Sequence, residues 1–201
     1  MSKIKNIIFD LGGVILLQPK ELMHTLLKEV FPDKIDQAYE LWSKNKNKTI
    51  LGEMTTGELV KEFKEKLNDK SSTSSIKEKY KNAYKKHVAN INSELMTYIQ
   101  RLRKKYKVYL LTDTIDIHDE YNKTRGIYPK FDKVFKSFEE HLKKPDKKAY
   151  LNVLKKINAK PYECVFIDDL NENIIAARKL GLHGIVYDSL EDLKQKLDQI
   201  L

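Results

Sequence analysis

The stretch Ile7-Ile8-Phe9-Asp10-Leu11-Gly12-Gly13-Val14-Ile15 decides the fold. Three apolar residues lead into one aspartate, and a pair of glycines follows directly after the next residue. A short β-branched and aromatic run that ends at a turn is typical of a buried strand, and the glycines permit that turn. The aspartate is therefore either a turn residue or a carboxylate that a strand presents for chemistry. The other strands must distinguish the two.

The composition of the chain is that of an ordinary globular protein. Of 201 residues, 41% are hydrophobic and 33% are charged, which allows one good core with a smaller appended unit. No stretch approaches the roughly 18 apolar residues of a membrane span, and no signal-peptide pattern precedes the first strand. The single Cys164 excludes an internal disulfide, as is common in a reducing compartment. We therefore expect a cytoplasmic monomer or weak dimer with no membrane partner.

The net charge of +9 raises the question of a nucleic-acid partner. Only four of the basic residues are arginines, which favour bidentate contacts to phosphates and bases. The lysines are mixed with glutamates, as in "KEFKEKL". Neither a zinc-ligand spacing nor a helix-turn-helix pattern is visible. The charge pattern thus predicts a lysine-rich solvated surface and no nucleic-acid partner.

Strand and helix patterns alternate at the two ends of the chain. Short β-branched runs predict strands at Ile4–Phe9, Val108–Leu111, Lys133–Phe135, Cys164–Ile167 and Gly184–Tyr187. Helical patterns fall at Glu94–Lys105, His118–Thr124, Lys147–Ile157, Asn173–Leu180 and Leu190–Leu201. This alternation predicts a parallel sheet with crossover helices on both faces, because parallel strands need such connections.

The segment between the first two strands is helical throughout. Apolar residues recur there at helical spacing from about residue 19 to residue 90. Thr55 and Glu58 predict a capping box, and Ser75 is expected to cap the helix after a serine-rich connection. We therefore predict a doubly wound, Rossmann-like α/β core over residues 1–17 and 91–201, with an inserted α-helical domain over residues 18–90. The aromatic residues of this insertion are predicted to be core rather than substrate contacts: Phe31, Trp42, Phe63, Tyr80 and Tyr84.

Polar side chains follow three of the predicted strands. Asp10 follows the first, Thr112 and Asp113 follow the second, and the pair Asp168 and Asp169 follows the fourth. A further charged residue, Lys144 in "KKPDKKAY", precedes a helix that Pro145 is expected to begin at its first turn. The carboxyl ends of parallel strands lie at one edge of a sheet, where ligands bind. These residues are therefore expected to share one site.

The combination of groups predicts phosphoryl transfer. Carboxylates that lie together repel one another unless a cation neutralises them, and a set of oxygen ligands suits Mg²⁺. A lysine and a hydroxyl can hold the remaining phosphoryl oxygens. A central carboxylate is a competent nucleophile and forms an aspartyl-phosphate. The sequence therefore predicts a small phosphorylated metabolite as substrate.

The order of these residues resembles the haloacid dehalogenase superfamily of hydrolases. In response-regulator receiver domains the acidic pair comes first, whereas here the single aspartate comes first and the pair last. "FDLGGVI", "LLTDT", "KKPDKKAY" and "FIDDLNENIIAARKLGLHGI" resemble the four motifs of the superfamily in order. The helical insertion resembles its α-helical cap, and "LWSKNKNKTILGEMTTGEL" is similar to the cap of the glucose-1-phosphate phosphatase-like branch.

The resemblance implies a role for each matching residue. By this resemblance Asp10 is the nucleophile and a metal ligand, and Gly12 offers its carbonyl to the metal. The Thr112 hydroxyl and the Asp113 backbone bind the phosphoryl group, and Lys144 neutralises charge. The remaining implied roles are Mg²⁺ binding by Asp168 and Asp169, and restraint of their loop by Asn173.

Position 12 departs from the pattern of the superfamily. Most of its phosphatases carry a second aspartate there, which protonates the leaving group, whereas this chain has Gly12. General acid–base help is worth roughly 10²–10⁴-fold in rate. Three alternatives stay open: an active phosphatase, possible if leaving groups depart easily or an acid comes from elsewhere; a weak or inactive binding protein; and a 2-haloacid dehalogenase. The candidate proton relays are His118 and Asp116, with an exposed residue at a helix start as the other interpretation of His118.

Overall fold

The computed structural model describes residues 3–88 and 90–201 of the chain. Residues 1, 2 and 89, which the predicted domain ranges include, lie outside the described residues. The described strands are β1 (Asn6–Phe9), β2 (Lys107–Thr112), β3 (Lys133–Lys136), β4 (Cys164–Asp168) and β5 (His183–Val186). The described α-helices are α1 (Leu22–Val30), α2 (Ile35–Ile50), α3 (Thr56–Lys66), α4 (Thr73–His87), α5 (Ser93–Leu102), α6 (Asp116–Thr124), α7 (Ser137–Glu140), α8 (Lys147–Lys156), α9 (Asn171–Lys179) and α10 (Leu190–Asp198).

The five strands form one parallel sheet in the order β3-β2-β1-β4-β5. The central strand is β1, where Phe9 pairs with Leu110 on one side and with Ile167 on the other. After β3 the chain returns past β1 to place β4 on its other side. The carboxyl ends of β1 and β4 therefore flank the switch point at which such sheets bind ligands. The predicted doubly wound α/β class is confirmed.

Both faces of the sheet are covered, which explains why β1 is a continuous apolar run. Side chains alternate between the faces with a period of two. Ile7 and Phe9 pack on the face that α5 and α10 cover, whereas Ile8 packs on the face that α8 and α9 cover. Cys164 is fully buried at the start of β4, where it packs in the cluster of Ile8.

The helices α1–α4 pack around a hydrophobic cluster of their own. Its members include the predicted core aromatics Phe63, Tyr80 and Tyr84, all of them buried. Ile115 and Ile117, which follow β2, belong to the same cluster. The helical region therefore shares its core with the start of α6, which a division of the chain by sequence pattern does not predict.

The two segments that connect the helical region to the sheet, residues 15–17 and 90–92, lie side by side. The Leu17 backbone N–H donates to the Asn90 carbonyl at 3.1 Å, and the Asn92 N–H donates to the Ile15 carbonyl at 2.9 Å. Both connections therefore leave the sheet through one short antiparallel pairing. None of the described helices is long and apolar enough to cross a membrane.

Of three helix starts predicted from the sequence, the structure confirms one and contradicts two. Thr55 and Glu58 form the predicted capping box at the start of α3. Ser72, not Ser75, caps α4, because the Ser72 hydroxyl accepts from the backbone N–H of Ser75. Helix α8 begins at Lys147 with Asp146 as its cap, so the expectation that Pro145 lies in its first turn is wrong. A polar side chain that can accept from the free N–H groups determines these starts.

Two glycine-to-alanine substitutions should change stability in opposite directions. A Cβ on Gly184 in β5 would lie 2.8 Å from Cγ2 of Ile174, so Gly184→Ala is expected to destabilise the fold by about 1–3 kcal/mol. A Cβ on Gly57 in α3 would meet nothing closer than 3.8 Å, so Gly57→Ala is expected to stabilise it by about 0.4–1 kcal/mol. Urea unfolding of both variants measures the difference, and a shift of the same sign in both would contradict the packing of β5 on α9.

Candidate active site

The nucleophile predicted at Asp10 lies at the carboxyl end of β1. Its backbone N–H donates to the Ile167 carbonyl of β4 at 2.9 Å, which continues the ladder to the last residue before the turn. The residue is 7% exposed. Gly13 has a φ of +76°, and a Cβ there would lie 2.2 Å from Oδ2 of Asp169. The glycine therefore serves both the backbone turn and the close approach of the acidic pair.

A buried lysine joins the ends of β1 and β4. Lys144 Nζ lies 2.7 Å from Oδ1 of Asp10 and 2.7 Å from Oδ2 of Asp168, and only 5% of the residue is exposed. The Lys144 backbone N–H donates to Oδ1 of Asp113 at 3.2 Å. The structure thus brings together Lys144 and the acids that follow β1, β2 and β4, which the sequence analysis predicted to meet.

Two neighbours hold Asp168 through three hydrogen bonds, in addition to its contact with Lys144. It is fully buried, and Asn173 Nδ2 donates to its two oxygens at 2.9 and 3.0 Å. The Leu170 backbone N–H donates to Oδ1 at 2.9 Å. Asn173 is therefore in the position that the predicted loop restraint requires. Asp169 is half-buried and makes its close approach at Gly13.

The acid cluster fits a magnesium ion. One carboxylate oxygen from each of Asp10, Asp168 and Asp169 lies within 4.8 Å of the others. All three donors are hard anionic oxygens, the type that Mg²⁺ prefers. Lys144 compensates one of the three negative charges, so a divalent cation would balance the charges that remain. The described residues therefore have both the ligand type and the charge that Mg²⁺ requires.

Burial and mutual repulsion act on the protonation of these groups. Burial raises the pKa of Asp10 to about 7, against the opposing effect of Lys144 and with a further contribution from Asp168. Burial also raises the pKa of Asp169, and Asp168 adds to it. Burial alone would lower the pKa of Lys144, but the carboxylates of Asp10, Asp168 and Asp113 outweigh it and raise that pKa. The lysine is therefore a permanent cation, whereas the carboxylates need a cation to stay ionised together.

Two connected cavities open beside Asp10. One of about 470 Å³ is lined by Asp10, Lys144 and Asp169. The other, of about 320 Å³, lies between the helical region and the sheet and is lined by Thr112, Trp42 and His118. The residues common to both walls are Gly12, Gln18, Lys20 and Asp113. Trp42 and Tyr84, predicted as core, are buried and also line the second cavity.

Three residues at and after the end of β2, which are Thr112, Asp113 and Asp116, make different contacts. Thr112 is 2% exposed and lines the second cavity. The Asp113 carboxylate holds the backbone of Lys144, and burial raises its pKa. Asp116 accepts hydrogen bonds from the backbone N–H and the hydroxyl of Thr56 at the start of α3. Asp116 therefore connects α6 to the helical region and is engaged away from Asp10.

His118 is buried, so its interpretation as an exposed residue at a helix start is wrong. Its Nε2 lies 2.8 Å from the Tyr80 hydroxyl, and its ring is parallel to that of Tyr84 with the centroids 3.8 Å apart. Burial lowers the pKa of His118 to about 3, so the imidazole is neutral at pH 7. No hydrogen bond to its Nδ1 is found among the described residues, and the residue lines the second cavity.

Gln18 is the cavity residue that the sequence analysis missed. It lies in "LLQPK" between β1 and α1, a segment whose letters carry no catalytic pattern. Asn122, which is fully buried beside the same cavity with its Oδ1 unpaired among the described atoms, was missed as well. Both become visible only when the helical region is packed against the sheet.

Comparison with known proteins identifies the family. Residues 4–181 match the model of the haloacid dehalogenase-like hydrolases, and the chain belongs to this family. It is 28% identical to the D-ribitol-5-phosphate phosphatase of Bacteroides thetaiotaomicron, with 98% of each chain covered.

Solved structures agree with this fold. A family enzyme from Bacteroides thetaiotaomicron, in complex with magnesium and inorganic phosphate, superposes with a TM-score of 0.79 at 25% identity, covering 96% of this chain and 98% of that one. A predicted hydrolase of the same type from Porphyromonas gingivalis gives 0.81 at 24% identity, with 98% of each chain covered. The chain is therefore a hydrolase of this family.

Loss of the Asn173 amide should weaken magnesium binding. Asn173→Ala removes both hydrogen bonds that orient Asp168, so the affinity for Mg²⁺ is expected to fall roughly 10–100-fold. Titration calorimetry with Mg²⁺ measures it. Asn171→Ala, on the exposed start of the same helix, is the matched control and should bind as the parent does. Equal affinities in all three proteins would contradict a metal site at Asp168.

Proposed function

We propose that this chain is a Mg²⁺-dependent phosphatase that hydrolyses a small sugar or sugar-alcohol phosphate through an aspartyl-phosphate at Asp10. One observation carries the proposal: Lys144 lies 2.7 Å from the acids of two adjacent strand ends, beside three carboxylates that converge within 4.8 Å. We further propose that residues 1–17 and 91–201 are the core domain and that residues 18–90 form a cap over the site.

The first half of the reaction is a transfer of the phosphoryl group to Asp10. A carboxylate oxygen of Asp10 bonds to phosphorus while the ester P–O bond breaks, and the electron pair leaves with the substrate oxygen. Lys144 holds Oδ1 of Asp10 and so fixes the orientation of the carboxylate. The hydroxyl of Thr112 donates to a phosphoryl oxygen. Asp10, Asp168 and Asp169, with the Gly12 carbonyl, would hold a Mg²⁺ ion, which would screen the repulsion of the carboxylates and polarise the phosphoryl group.

The second half returns the enzyme to its starting state. A water oxygen bonds to phosphorus as the bond between Asp10 and phosphorus breaks, and inorganic phosphate and the Asp10 carboxylate are released. Gly12 supplies no side chain for proton transfer in either half. The neutral His118, whose pKa is about 3, has no proton to donate at pH 7. The alcohol therefore takes its proton from water, which favours substrates whose leaving groups are weakly basic.

The cavity between the helical region and the sheet supports a small polyhydroxylated substrate. Its volume of about 320 Å³ is at the lower end of the range for ligand pockets. The aromatic and aliphatic wall includes Trp42 and Met23, while His118 is a polar residue of the same wall that substrate hydroxyls can contact. The likeness to a D-ribitol-5-phosphate phosphatase points to the same class of substrate.

Hydrolysis by this chain should depend on Asp10. With Mg²⁺ present, we expect turnover of p-nitrophenyl phosphate and of members of a panel of sugar and sugar-alcohol phosphates that includes ribitol 5-phosphate. Asp10→Asn should lower kcat roughly 10³-fold or more, because the nucleophile is lost. Asp188→Asn, an exposed acid at the end of β5, is the matched control. Phosphate release measures both.

The two alternatives give different results in the same assay. Retained binding of Mg²⁺ and phosphate without turnover of any ester would identify a binding protein. Release of chloride from 2-chloropropionate without metal would identify a dehalogenase. The convergence of three carboxylates disfavours the latter, since an acid cluster of this kind needs a cation.

His118 should affect substrate binding rather than proton transfer. His118→Phe keeps a ring beside Tyr84 but removes Nδ1, so KM for the best sugar-alcohol phosphate is expected to rise roughly 10-fold, the usual cost of one hydrogen bond to a buried group. KM for p-nitrophenyl phosphate, which has no hydroxyls, should change little. His183→Phe, on the exposed edge of β5, is the control. An equal effect on kcat for both substrates would contradict this role.

A further inference from the structure

The space beside Gly12 is filled by another side chain. A Cβ built on Gly12 would lie 2.7 Å from Nε2 of Gln18 and 3.3 Å from its Cδ and Oε1. The carboxamide of Gln18 therefore occupies the volume into which an acidic side chain at position 12 would project. The backbone at Gly12 is not in the left-handed region, so a side chain at this position would require a shift of the Gln18 carboxamide and no strained backbone.

The Gln18 amide is free to bind a ligand. Across residues 3–88 and 90–201, no hydrogen bond or ion pair to its side chain is found, although half-buried amides usually have partners. Gln18 lines the cavity of Asp10 and Lys144 and also the cavity of His118. In a phosphate ester the bridging oxygen joins the phosphoryl group to the organic part. Gln18 is one of four residues shared by the walls of the two cavities, so an ester that spans both cavities would place its bridging oxygen near these residues.

We infer that Gln18 binds the leaving-group oxygen of the substrate in place of the missing acid, an inference that rests on the proposed phosphatase reaction. As the P–O bond breaks, negative charge develops on the bridging oxygen, and Nε2–H of Gln18 donates a hydrogen bond to it. An amide does not give up its proton in this step. The electron pair stays on the oxygen until water supplies the proton, so the amide stabilises the departing alkoxide without neutralising it.

This role makes Gln18 matter most for basic leaving groups. Nitrophenolate disperses its charge and needs little help, whereas an alkoxide from a sugar alcohol keeps its charge on one oxygen. A hydrogen bond to a charged acceptor is worth more than one to a neutral acceptor. Glu21, an exposed acid in the wall of the second cavity, is the rival candidate for assistance to the leaving group.

The experiment compares kcat for ribitol 5-phosphate and p-nitrophenyl phosphate in the parent, Gln18→Ala, Gln18→Glu, Glu21→Gln and Asp10→Asn. Gln18→Ala is expected to lose roughly 10–100-fold on the alkyl ester and less than about 3-fold on the aryl ester. Gln37→Glu, on the exposed side of α2, is the control for a charge change. Equal affinity for Mg²⁺ in the parent and Gln18→Ala shows that the acid cluster is intact.

The isosteric variant Gln18→Glu gives a readout that a structural role would not produce. Its carboxylic acid can transfer a proton, so kcat for the alkyl ester should gain a limb that is high at low pH and falls as the pH rises through the pKa of the new acid. The parent and Gln37→Glu should lack that limb. A pH profile of Gln18→Glu that matches the parent would overturn the inference.

A double-mutant comparison tests the shared space directly. In the parent, Gly12→Asp must displace the Gln18 amide, whereas in Gln18→Ala the new carboxyl group has room. The gain of Gly12→Asp on the alkyl ester should therefore be larger in the Gln18→Ala background than in the parent. Equal gains in the two backgrounds would show that the two side chains do not compete and would overturn the inference.

The failures of the two proposals are distinguishable. If the parent hydrolyses both esters and Asp10→Asn does not, the phosphatase reaction stands. In that case, losses of equal size on both esters in Gln18→Ala, or loss of alkyl activity in Glu21→Gln alone, would overturn only the role of Gln18. If neither ester is hydrolysed by the parent, the phosphatase reaction fails and the role of Gln18 fails with it.

Discussion

The site depends on one buried cation that lies between two buried anions. Lys144, 5% exposed, lies 2.7 Å from both Asp10 and Asp168. A buried charge without a partner costs roughly several kcal/mol. Lys144, Asp10 and Asp168 therefore stabilise one another. The pairing also ties together the carboxyl ends of β1 and β4, which flank the switch point of the sheet. The same contact that compensates the charges therefore positions the carboxylate proposed as nucleophile.

The glycine pair shows how backbone geometry and chemistry are combined in one turn. Gly13 is required by its φ of +76° and by Asp169, which leaves no room for a Cβ. Gly12 has an ordinary backbone, and what limits it is the carboxamide of Gln18. The two positions are adjacent in sequence, but the physical reason for a glycine differs between them. Gly13 permits the close approach of Asp169, and Gly12 leaves space for the carboxamide of Gln18, which carries no acidic proton.

Aromatic and polar groups line the side of the site that faces the helical region, together with charged residues such as Lys20, Glu21 and Lys46. His118 lies parallel to Tyr84 and contacts the Tyr80 hydroxyl, and its burial keeps it uncharged. Asp116 holds the start of α3 through Thr56, so the wall of this cavity is built jointly by α6 and the helices of the insertion. One cavity is thus lined by Lys144 and the acids at the strand ends, and the other by aromatic and mixed polar side chains.

The sequence by itself determined the alternation of strands and helices, the strand-end positions of Asp10, Thr112 and Asp168, and the family, because local periodicity and chain order carry that information. It also predicted the meeting of Lys144 with the acids, since parallel strands end at one edge. Only the tertiary structure decided that His118 is buried and neutral and that Gln18 fills the space at Gly12. Those features depend on how the helical insertion packs against the sheet, and residues that are distant in sequence create that contact.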